Sequence, residues 1–360
     1  MGLSCGLIGI SGCGKTTIFN AITAAGVSSF GVTEMNHSIV KVPDERFKKL
    51  VDMYHPRKQV PATLDVVDIP GLKPDGNNSG GSGFKQLGHI KNVEALLHVV
   101  RCFEDQAVPY GYDTVNPVRD IETVDLELMA ADSITLKNKI ERMTKKAKAG
   151  DKDAAREVTI CEKVLAALEQ GIPARRQEFT QHELNSLYEC NLVSLKPVLY
   201  VANVKSLDSG NKHVAALTGY AQNEKADVVV ISGKDEAEIS QLAPEDRPEF
   251  LKELGLQESS MERLLNTANK MLKMVTFFTV GEDEVRAWNC KKGDKAPQAA
   301  GKIHTDMEKG FVRMEVIHYN DLMELGSEDA VAKAGKQHLE GKEYEVQDGD
   351  IVVVRFNKSK

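Results

Sequence analysis

Short apolar runs alternate with helix-like segments along much of the chain. Three runs in the first hundred residues, Leu3 to Ile10, Leu64 to Ile69 and Leu96 to Val100, end at or near turn-forming residues. Two more, Val198 to Ala202 and Val228 to Ile231, repeat this pattern further on. Continuous apolar runs of this length are typical of parallel strands buried on both faces. The pattern therefore predicts an α/β fold in which helices cover a parallel sheet.

A segment with helical spacing separates the first strands from the last. Leu136, Ile140 and Met143 recur at intervals of four and three, and Val158 begins a second such series after Gly150. Two amphipathic helices joined by a tight turn predict an antiparallel hairpin. Its tip is basic, with these residues: Arg142, Lys145, Lys146, Lys148 and Lys152. A solvated helical face and a partner-binding tip both remain open.

The pattern changes again at about Val275. Five strand-like runs follow, at 277–280, 284–288, 310–316, 344–346 and 351–356, with one helix near 329–338. This predicts a small α+β module with a mixed sheet. The predicted domains are 1–120 and 196–274 for the two parts of the α/β domain, 121–195 for the helical insert and 275–360 for the module.

Composition narrows the class of protein. The 360 residues carry a formal net charge of -7 and are 41% hydrophobic, which fits a globular protein of two or three domains. No apolar stretch approaches eighteen residues, so we expect no membrane span. Six cysteines form no C-x-x-C pair, which disfavours zinc. With no signal peptide at the start, they favour the cytoplasm.

The first apolar run leads into the motif G-x-x-x-x-G-K-T, Gly9 to Thr16, called the P-loop below. Its glycines permit positive φ, so that successive N–H groups of Ser11, Gly12, Cys13, Gly14 and Lys15 can surround a phosphate. Lys15 would reach the β- and γ-phosphates, the Thr16 hydroxyl would bind Mg²⁺, and Thr17 follows in the same site. A strand before the motif and a helix after it supply the required context. We expect Lys15→Ala to abolish nucleotide binding.

A second motif, D-x-x-G, is formed by Asp68 to Gly71 at the end of a predicted strand. In P-loop NTPases this Asp supports Mg²⁺ through water, and the Gly amide senses the γ-phosphate. Asp68 and Gly71 are assigned these roles, and the glycine-rich run Gly76 to Gly83 is predicted to be a switch loop. Leu72 replaces the glutamine that orients water in Ras-like GTPases, so we expect slow intrinsic hydrolysis.

The base-reading loop is predicted after the strand Val198 to Ala202. Asn203, Val204 and Ser232 would line the base. Ser206 stands where GTPases carry the Asp of N-K-x-D, and Asp208 lies two residues too far along. Without that carboxylate the charge-assisted pair with guanine is missing, which favours ATP over GTP.

These motifs together resemble the YchF / Obg-like ATPase family over essentially the whole chain. The matching segments, besides the P-loop, are 68–72, 98–104, 150–154, 284–288, 296–306 and 308–311. The resemblance implies a Ras-like P-loop NTPase domain interrupted by an antiparallel helical hairpin and followed by a β-grasp TGS domain. It also implies a cytosolic, Mg²⁺-dependent enzyme that hydrolyses ATP more readily than GTP and contacts ribosomes. Basic residues of the TGS run, Lys302, His304, Lys309 and Arg313, would face RNA or protein, or are merely solvated.

The chain departs from this family at several site positions. Gly12 replaces an asparagine that can help hold a monovalent cation, which puts potassium activation in doubt. The switch threonine that completes the Mg²⁺ shell aligns with Val32; either the loop shifts by one and Thr33 binds the ion, or the ligand is lost. A histidine implicated in hydrolysis aligns with Tyr110, a poor base near neutral pH.

Cysteine positions differ as well. The family's redox-linked switch cysteine aligns with Gly31, whereas Cys13 lies among the P-loop amides. That environment predicts a lowered thiol pKa, so oxidation of Cys13 would block phosphate entry.

Three functions remain open from the sequence. The first is an ATPase switch that regulates translation or a stress response through ribosome or RNA association, acting as a monomer. The second is an Obg-type GTPase, and the third is a nucleotide sensor with negligible hydrolysis.

Overall fold

The structure, a computed structural model, describes residues 4–23, 36–71, 88–207, 210–242, 246–253, 256 and 258–357. The chain divides into two compact units. The first contains Met1–Ile39 and Asp65–Thr267, and the second contains Val40–Leu64 and Ala268–Lys360. The four domain boundaries predicted from sequence stay predictions. In the described part of the chain no helix combines the length and hydropathy that crossing a membrane requires.

The first of two sheets has six strands in the order β2-β4-β1-β5-β6-β7. Its strands are β1 Ser4–Ile8, β2 Asn36–Lys41, β4 Thr63–Asp68, β5 Ala95–Arg101, β6 Val198–Asn203 and β7 Val228–Ile231. Strands β4, β1, β5, β6 and β7 pair in parallel. Every residue of β1, β5 and β6 is buried, as expected for central strands covered on both faces. The predicted α/β class is confirmed.

The register of this sheet places two motifs side by side. Leu7 of β1 lies opposite Asp68 of β4. Because both strands run in the same direction, the segments that follow them leave the sheet at one carboxyl edge. Ligands of open α/β sheets bind at this edge.

Helices of the first unit cover the sheet and form the insert. They are α1 Lys15–Thr23, α3 Pro117–Lys148, α4 Lys152–Glu169, α5 Gln181–Leu187, α6 Lys212–Glu224, α7 Gly233–Gln241, α8 Arg247–Glu253 and α9 Ser260–Met271, the last of which ends in the second unit. Short 3-10 turns lie at Ala174–Arg176, Tyr188–Cys190 and Val193–Leu195.

Helices α3 and α4 form the predicted hairpin. Asn116 caps α3, and Pro117 occupies its first turn, where a missing N–H costs no hydrogen bond. Gly150 turns the chain at φ 98°, and the Asp151 side chain caps α4 by accepting from Asp153 N and Ala154 N. Apolar residues from both helices share one core, which includes Leu136, Cys161 and Val164. The spacing of apolar residues therefore predicted this element correctly.

The second unit is built on another six-stranded sheet, with the order β11-β10-β12-β8-β9-β3. Its strands are β3 Lys58–Val60, β8 Met274–Thr279, β9 Glu284–Lys291, β10 Phe311–His318, β11 His338–Glu340 and β12 Asp350–Phe356. Its helices are α2 Glu45–Tyr54, α10 Ala296–Ile303, α11 Thr305–Lys309, α12 Tyr319–Leu325 and α13 Glu328–Lys333.

The sequence prediction for this unit is wrong in several details, which include the unpredicted helices α11 and α12 and the unpredicted strand β11. The prediction of one helix near 329–338 missed α10, whose buried face consists of Ala296, Ala299 and Ala300. Alanines give a weak apolar signal, although here they pack into the core of the sheet. The strand expected at 344–346 forms only an isolated bridge between Glu345 and Lys295. Strand β3, which pairs with β9, was missed because it is a three-residue strand far away in sequence.

Candidate nucleotide site

The P-loop connects β1 to α1 in the conformation that its glycines permit. Gly12 and Gly14 have φ of 79° and 96°, values that L-residues with side chains rarely adopt. Helix α1 begins at Lys15, so its N-terminal amides follow the loop directly. Backbone N–H groups and the helix dipole together favour an anion at this position.

Two side chains, one within the P-loop and one at the end of β6, donate hydrogen bonds to P-loop carbonyl groups. Lys15 Nζ donates to Gly9 O at 3.1 Å and to Ile10 O at 3.0 Å. Asn203 Nδ2, at the end of β6, donates to Cys13 O at 2.9 Å, and its Oδ1 accepts from Gly233 N at 3.2 Å. Because these carbonyl groups are already bonded, the amides of the same peptides are left to face a ligand.

Thr16 and Asp68 meet where α1 begins and β4 ends. Thr16 Oγ1 donates to Asp68 Oδ2 at 3.1 Å. Asp68 is 3% exposed, and its Oδ1 accepts no hydrogen bond from the described residues. Burial raises the pKa of this carboxyl, whereas Lys15 and the side chains of Thr16 and Asn36 oppose the shift. Oxygen donors with a free lone pair are suited to a hard divalent cation.

Gly71 lies against the P-loop. A β-carbon at Gly71 would be 2.8 Å from Lys15 Nζ and 3.1 Å from Ser11 N. The D-x-x-G motif therefore ends beside the lysine that would bind phosphate. Several sequence predictions concern residues outside the described ranges. These residues are Val32, Thr33, Leu72, the run 76–83 and Asp208.

The predicted base-contacting residues lie at the ends of β6 and β7. Ser232 is fully buried; its Oγ donates to Lys205 O at 3.3 Å and accepts from Asp235 N as the cap of α7. Val204 is 3% exposed, and its N–H donates to Ile231 O at 2.8 Å. Next to them, a cavity of about 460 Å³ is lined by Lys205 and Ser206 among others.

The surroundings of Cys13 and Tyr110 determine the direction in which the pKa of each side chain shifts. Cys13 is fully buried, and burial raises the pKa of its thiol, so the predicted lowering was wrong. The P-loop amides are outweighed here by the loss of solvent around a thiolate. Burial and the bond to Asp120 raise the pKa of Tyr110, in line with the expectation that it is a poor base.

The structure brings most predicted site residues together at one edge of the sheet. These are Ser11, Gly12, Cys13, Gly14, Lys15, Thr16, Thr17, Asp68, Gly71, Asn203 and Ser232. Sequence reasoning missed Arg101, which donates to Gly12 O at 3.2 Å. The available signal was a charged residue directly after the predicted strand Leu96 to Val100.

Known proteins resemble the chain over its full length. The family model YchF-GTPase_C, described as a protein of unknown function (DUF933), matches residues 274–357, and MMR_HSR1, described as 50S ribosome-binding GTPase, matches residues 4–160. The ribosome-binding ATPase YchF of Bacillus subtilis is 44% identical over 99% of this chain and 100% of its own length. Obg-like ATPase 1 of Oryza sativa is 37% identical over 99% and 93%.

A solved structure agrees with these sequences. The YchF GTPase of Schizosaccharomyces pombe superposes with a TM-score of 0.86 at 33% identity, covering 98% of this chain and 97% of that one. The family predicted from the sequence motifs is confirmed: this chain belongs to the YchF family.

Proposed function

We propose that this protein is a Mg²⁺-dependent P-loop ATPase that associates with ribosomes. The relatives named ribosome-binding ATPase match it from end to end, which supports both the hydrolase activity and the ribosome as partner. The observation that carries the proposal is the P-loop itself, whose carbonyl groups are held by Lys15 and Asn203 beside Asp68 and Gly71.

The phosphates would be bound by the amides from Ser11 to Lys15 and by the Lys15 ammonium group. Lys15 is 6% exposed, and its present partners are two backbone carbonyl groups and the Cys13 thiol. A phosphate oxygen is a stronger acceptor for this cation than a neutral carbonyl, because both partners are then ionised. Gly71, packed against the Lys15 head group, would respond to the γ-phosphate.

The residues present fit a magnesium ion. Thr16 supplies a hydroxyl oxygen, and the buried Asp68 supplies a carboxylate whose Oδ1 is not bonded to other described residues. We assign Thr16 as the direct ligand and Asp68 as the group that holds the ion through water. When bound, the ion neutralises charge on the β- and γ-phosphates. Thr33 would be a further ligand if its segment approaches the site.

We propose ATP as the preferred substrate and GTP as the weaker one. Ser206 offers no carboxylate for guanine, and the relatives named ATPase support the same choice. The alternative, an Obg-type GTPase, is supported by the Schizosaccharomyces pombe relative, which is named a GTPase. Asn203 would support base binding mainly by holding the P-loop in place. Its side-chain nitrogen and oxygen are both hydrogen-bonded to backbone groups.

Ribosome contact would use two basic surfaces of a monomeric, cytoplasmic protein. Arg142, Lys145 and Lys146 lie at the exposed end of α3, and Lys302 and Lys309 lie in the second unit. Lysine and arginine clusters of this kind suit phosphate backbones.

The test is calorimetric titration with the ATP and GTP analogues ATPγS and GTPγS in Mg²⁺, followed by single-turnover hydrolysis of ATP with and without ribosomes. We expect ATPγS to bind more tightly, binding to require Mg²⁺, and ribosomes to accelerate hydrolysis. Tighter GTPγS binding would favour the GTPase. Binding without hydrolysis under either condition would favour the nucleotide sensor.

A further inference from the structure

Arg101, the last residue of β5, is a buried cation held by backbone carbonyl groups. It is 2% exposed. Its guanidinium donates to Gly12 O at 3.2 Å in the P-loop, and to Phe103 O, Val108 O and Asp105 O at 3.1, 3.3 and 2.8 Å. No ion pair of Arg101 occurs within the described ranges. One side chain thus joins the P-loop to residues 103–110, called the overlying segment below.

Two aromatic rings complete the surroundings of this guanidinium. Its central carbon lies 4.4 Å from the centroid of the Phe103 ring and 4.5 Å from that of Tyr110. Both distances are within the range of cation–π attraction, which strengthens when water is excluded. Tyr110 is therefore positioned by Arg101 on one side of its ring.

The hydroxyl of Tyr110 contacts the first turn of α3. It donates to Asp120 Oδ2, and Arg119 Nη2 donates to the Tyr110 oxygen at 3.0 Å. Asp120 is 1% exposed, so its bond to Tyr110 is protected from water. A continuous set of bonded groups therefore runs from the P-loop carbonyl through Arg101 and Tyr110 to the helix.

The backbone of the overlying segment also lies directly on the P-loop. A β-carbon at Gly12 would be 2.0 Å from Pro109 O, so no side chain fits at this position without moving the segment. This accounts structurally for glycine at position 12. It also means that the two segments cannot move independently by much.

We propose that Arg101 is a positioning residue for the P-loop, and that the Arg101–Tyr110–Asp120 chain couples nucleotide binding to the first turn of α3. This rests on the proposed nucleotide-binding function. Helix α3 has 32 residues, or about 48 Å, and its far end carries the basic hairpin tip. A small change in the direction of its first turn is therefore enlarged at the tip.

Electrostatic interactions predict that this coupling strengthens nucleotide binding. Burial lowers the pKa of Arg101, and the nearby acidic groups, among them Asp105 and Asp120, oppose that shift only in part. Phosphates bound on the inner side of the Gly12 peptide would supply negative charge nearby. The nucleotide would then stabilise the guanidinium and the ring stacked on it, and by reciprocity an Arg101–Tyr110–Asp120 chain that is intact up to the Asp120 bond would strengthen nucleotide binding.

The deciding variant is Tyr110→Phe, which keeps the ring on Arg101 but removes the bond to Asp120. Its matched control is Tyr112→Phe, since the Tyr112 hydroxyl contacts Thr123 Oγ1 of the same helix at 3.3 Å but neither Arg101 nor Asp120. Affinity for MgATPγS is measured by calorimetry in the full chain. Hydrogen exchange of the amides at 118–123 is followed with and without MgATPγS.

We expect Tyr110→Phe to weaken MgATPγS binding by about fivefold or more and to abolish nucleotide-induced protection of amides 118–123. Tyr112→Phe should resemble the unchanged protein in both readouts. Asp120→Asn, which keeps an acceptor for Tyr110, should be milder than Asp120→Leu. At position 101, Lys keeps the charge without the planar fork and should bind better than Met, where both variants fold.

A purely structural role would lower the melting temperature of Tyr110→Phe and leave affinity and nucleotide-induced protection unchanged; that result would overturn the inference. Failure of the unchanged chain to bind MgATPγS would instead contradict the proposed function. Binding that is lost in Lys15→Ala but unaltered in Tyr110→Phe would contradict only the coupling.

Discussion

Two buried aspartates, one in each unit, differ in how their oxygens are used. Asp350, fully buried in the second unit, receives bonds on both oxygens, from His318 Nδ1 at 2.9 Å and from Tyr344 Oη and Gln347 N at 2.7 and 2.8 Å. Asp68 in the first unit is almost as buried, yet its Oδ1 accepts nothing from the described residues.

The difference separates a folding role from a binding role. Burying a carboxylate is costly unless hydrogen bonds replace its hydration. Asp350 recovers that cost within its own unit, whereas Asp68 carries a raised pKa and a free lone pair. Burial alone therefore does not identify a site; burial with an unused oxygen beside the P-loop does.

The largest effect should come from Lys15, the cation of the binding region. We expect Lys15→Ala to weaken MgATPγS binding by about a hundredfold or more, because the ammonium group makes a charge-assisted contact with phosphate. The melting temperature should stay close to that of the unchanged protein. Calorimetry and thermal unfolding check both statements, with the exposed Lys145→Ala as control. Equal affinity in Lys15→Ala would remove Lys15 from the site.

The second effect should appear in stability alone. Asp350→Ala leaves three donors without their acceptor and should lower the free energy of unfolding by about 3 kcal/mol. MgATPγS affinity of the folded protein should not change. Urea denaturation followed by tryptophan fluorescence is suitable, because Trp288, the one tryptophan, lies in β9 of the second unit. A change in affinity with unchanged stability would reverse the assignment of roles.

The third effect should be the opposite combination at Asp68. We expect Asp68→Ala to reduce Mg²⁺-dependent ATPγS affinity by about tenfold, while the free energy of unfolding stays constant or rises, since an incompletely bonded buried carboxylate has been removed. Titrations with and without Mg²⁺ separate the ion's contribution. If Asp68→Ala lost as much stability as Asp350→Ala, the two aspartates would share one role.

The smallest effect concerns the pH dependence of stability and a buried histidine of the first unit. His98 in β5 is buried, and burial with the positive charges of Arg175 and Lys15 lowers its pKa to about 3. The unfolded chain takes up this proton below its ordinary pKa, so stability is present above that value and falls as pH decreases toward 3.

Between pH 7.5 and 5.5 we expect this histidine to account for about 1 kcal/mol of lost stability. His98→Gln should lose correspondingly less than the unchanged protein over the same interval, as measured by urea denaturation.

Much of the site was predictable because it is local in sequence. The P-loop requires contiguous residues, and the strand before Asp68 was visible as an apolar run, so the edge where they meet followed from parallel pairing. Arg101 was not predictable, because its partners at Gly12, Asp105 and Val108 converge only in the folded state. The role of Asn203 as a brace depends in the same way on a contact across 190 positions.

The same distinction between local and long-range contacts applies to the fold. Hairpin α3–α4 follows from apolar spacing within each helix, whereas β3 owes its pairing with β9 to residues more than two hundred positions away. Short strands of this kind carry too few residues for periodicity to reveal them. Helix α10 was missed for a different reason. The residues on its buried face are alanines, which give a weak apolar signal.

The position of β3 and α2 in the sequence also limits which fragments of the gene can encode the complete second unit. Residues 40–64 are encoded between the P-loop and Asp68, yet they belong to the second unit. There Arg46 donates to Asp348, and Leu50 is fully buried. Cloning from codon 274 onward would therefore yield a polypeptide that lacks one edge strand and one helix of its own unit. Recombination at a single junction would therefore not transplant the second unit intact.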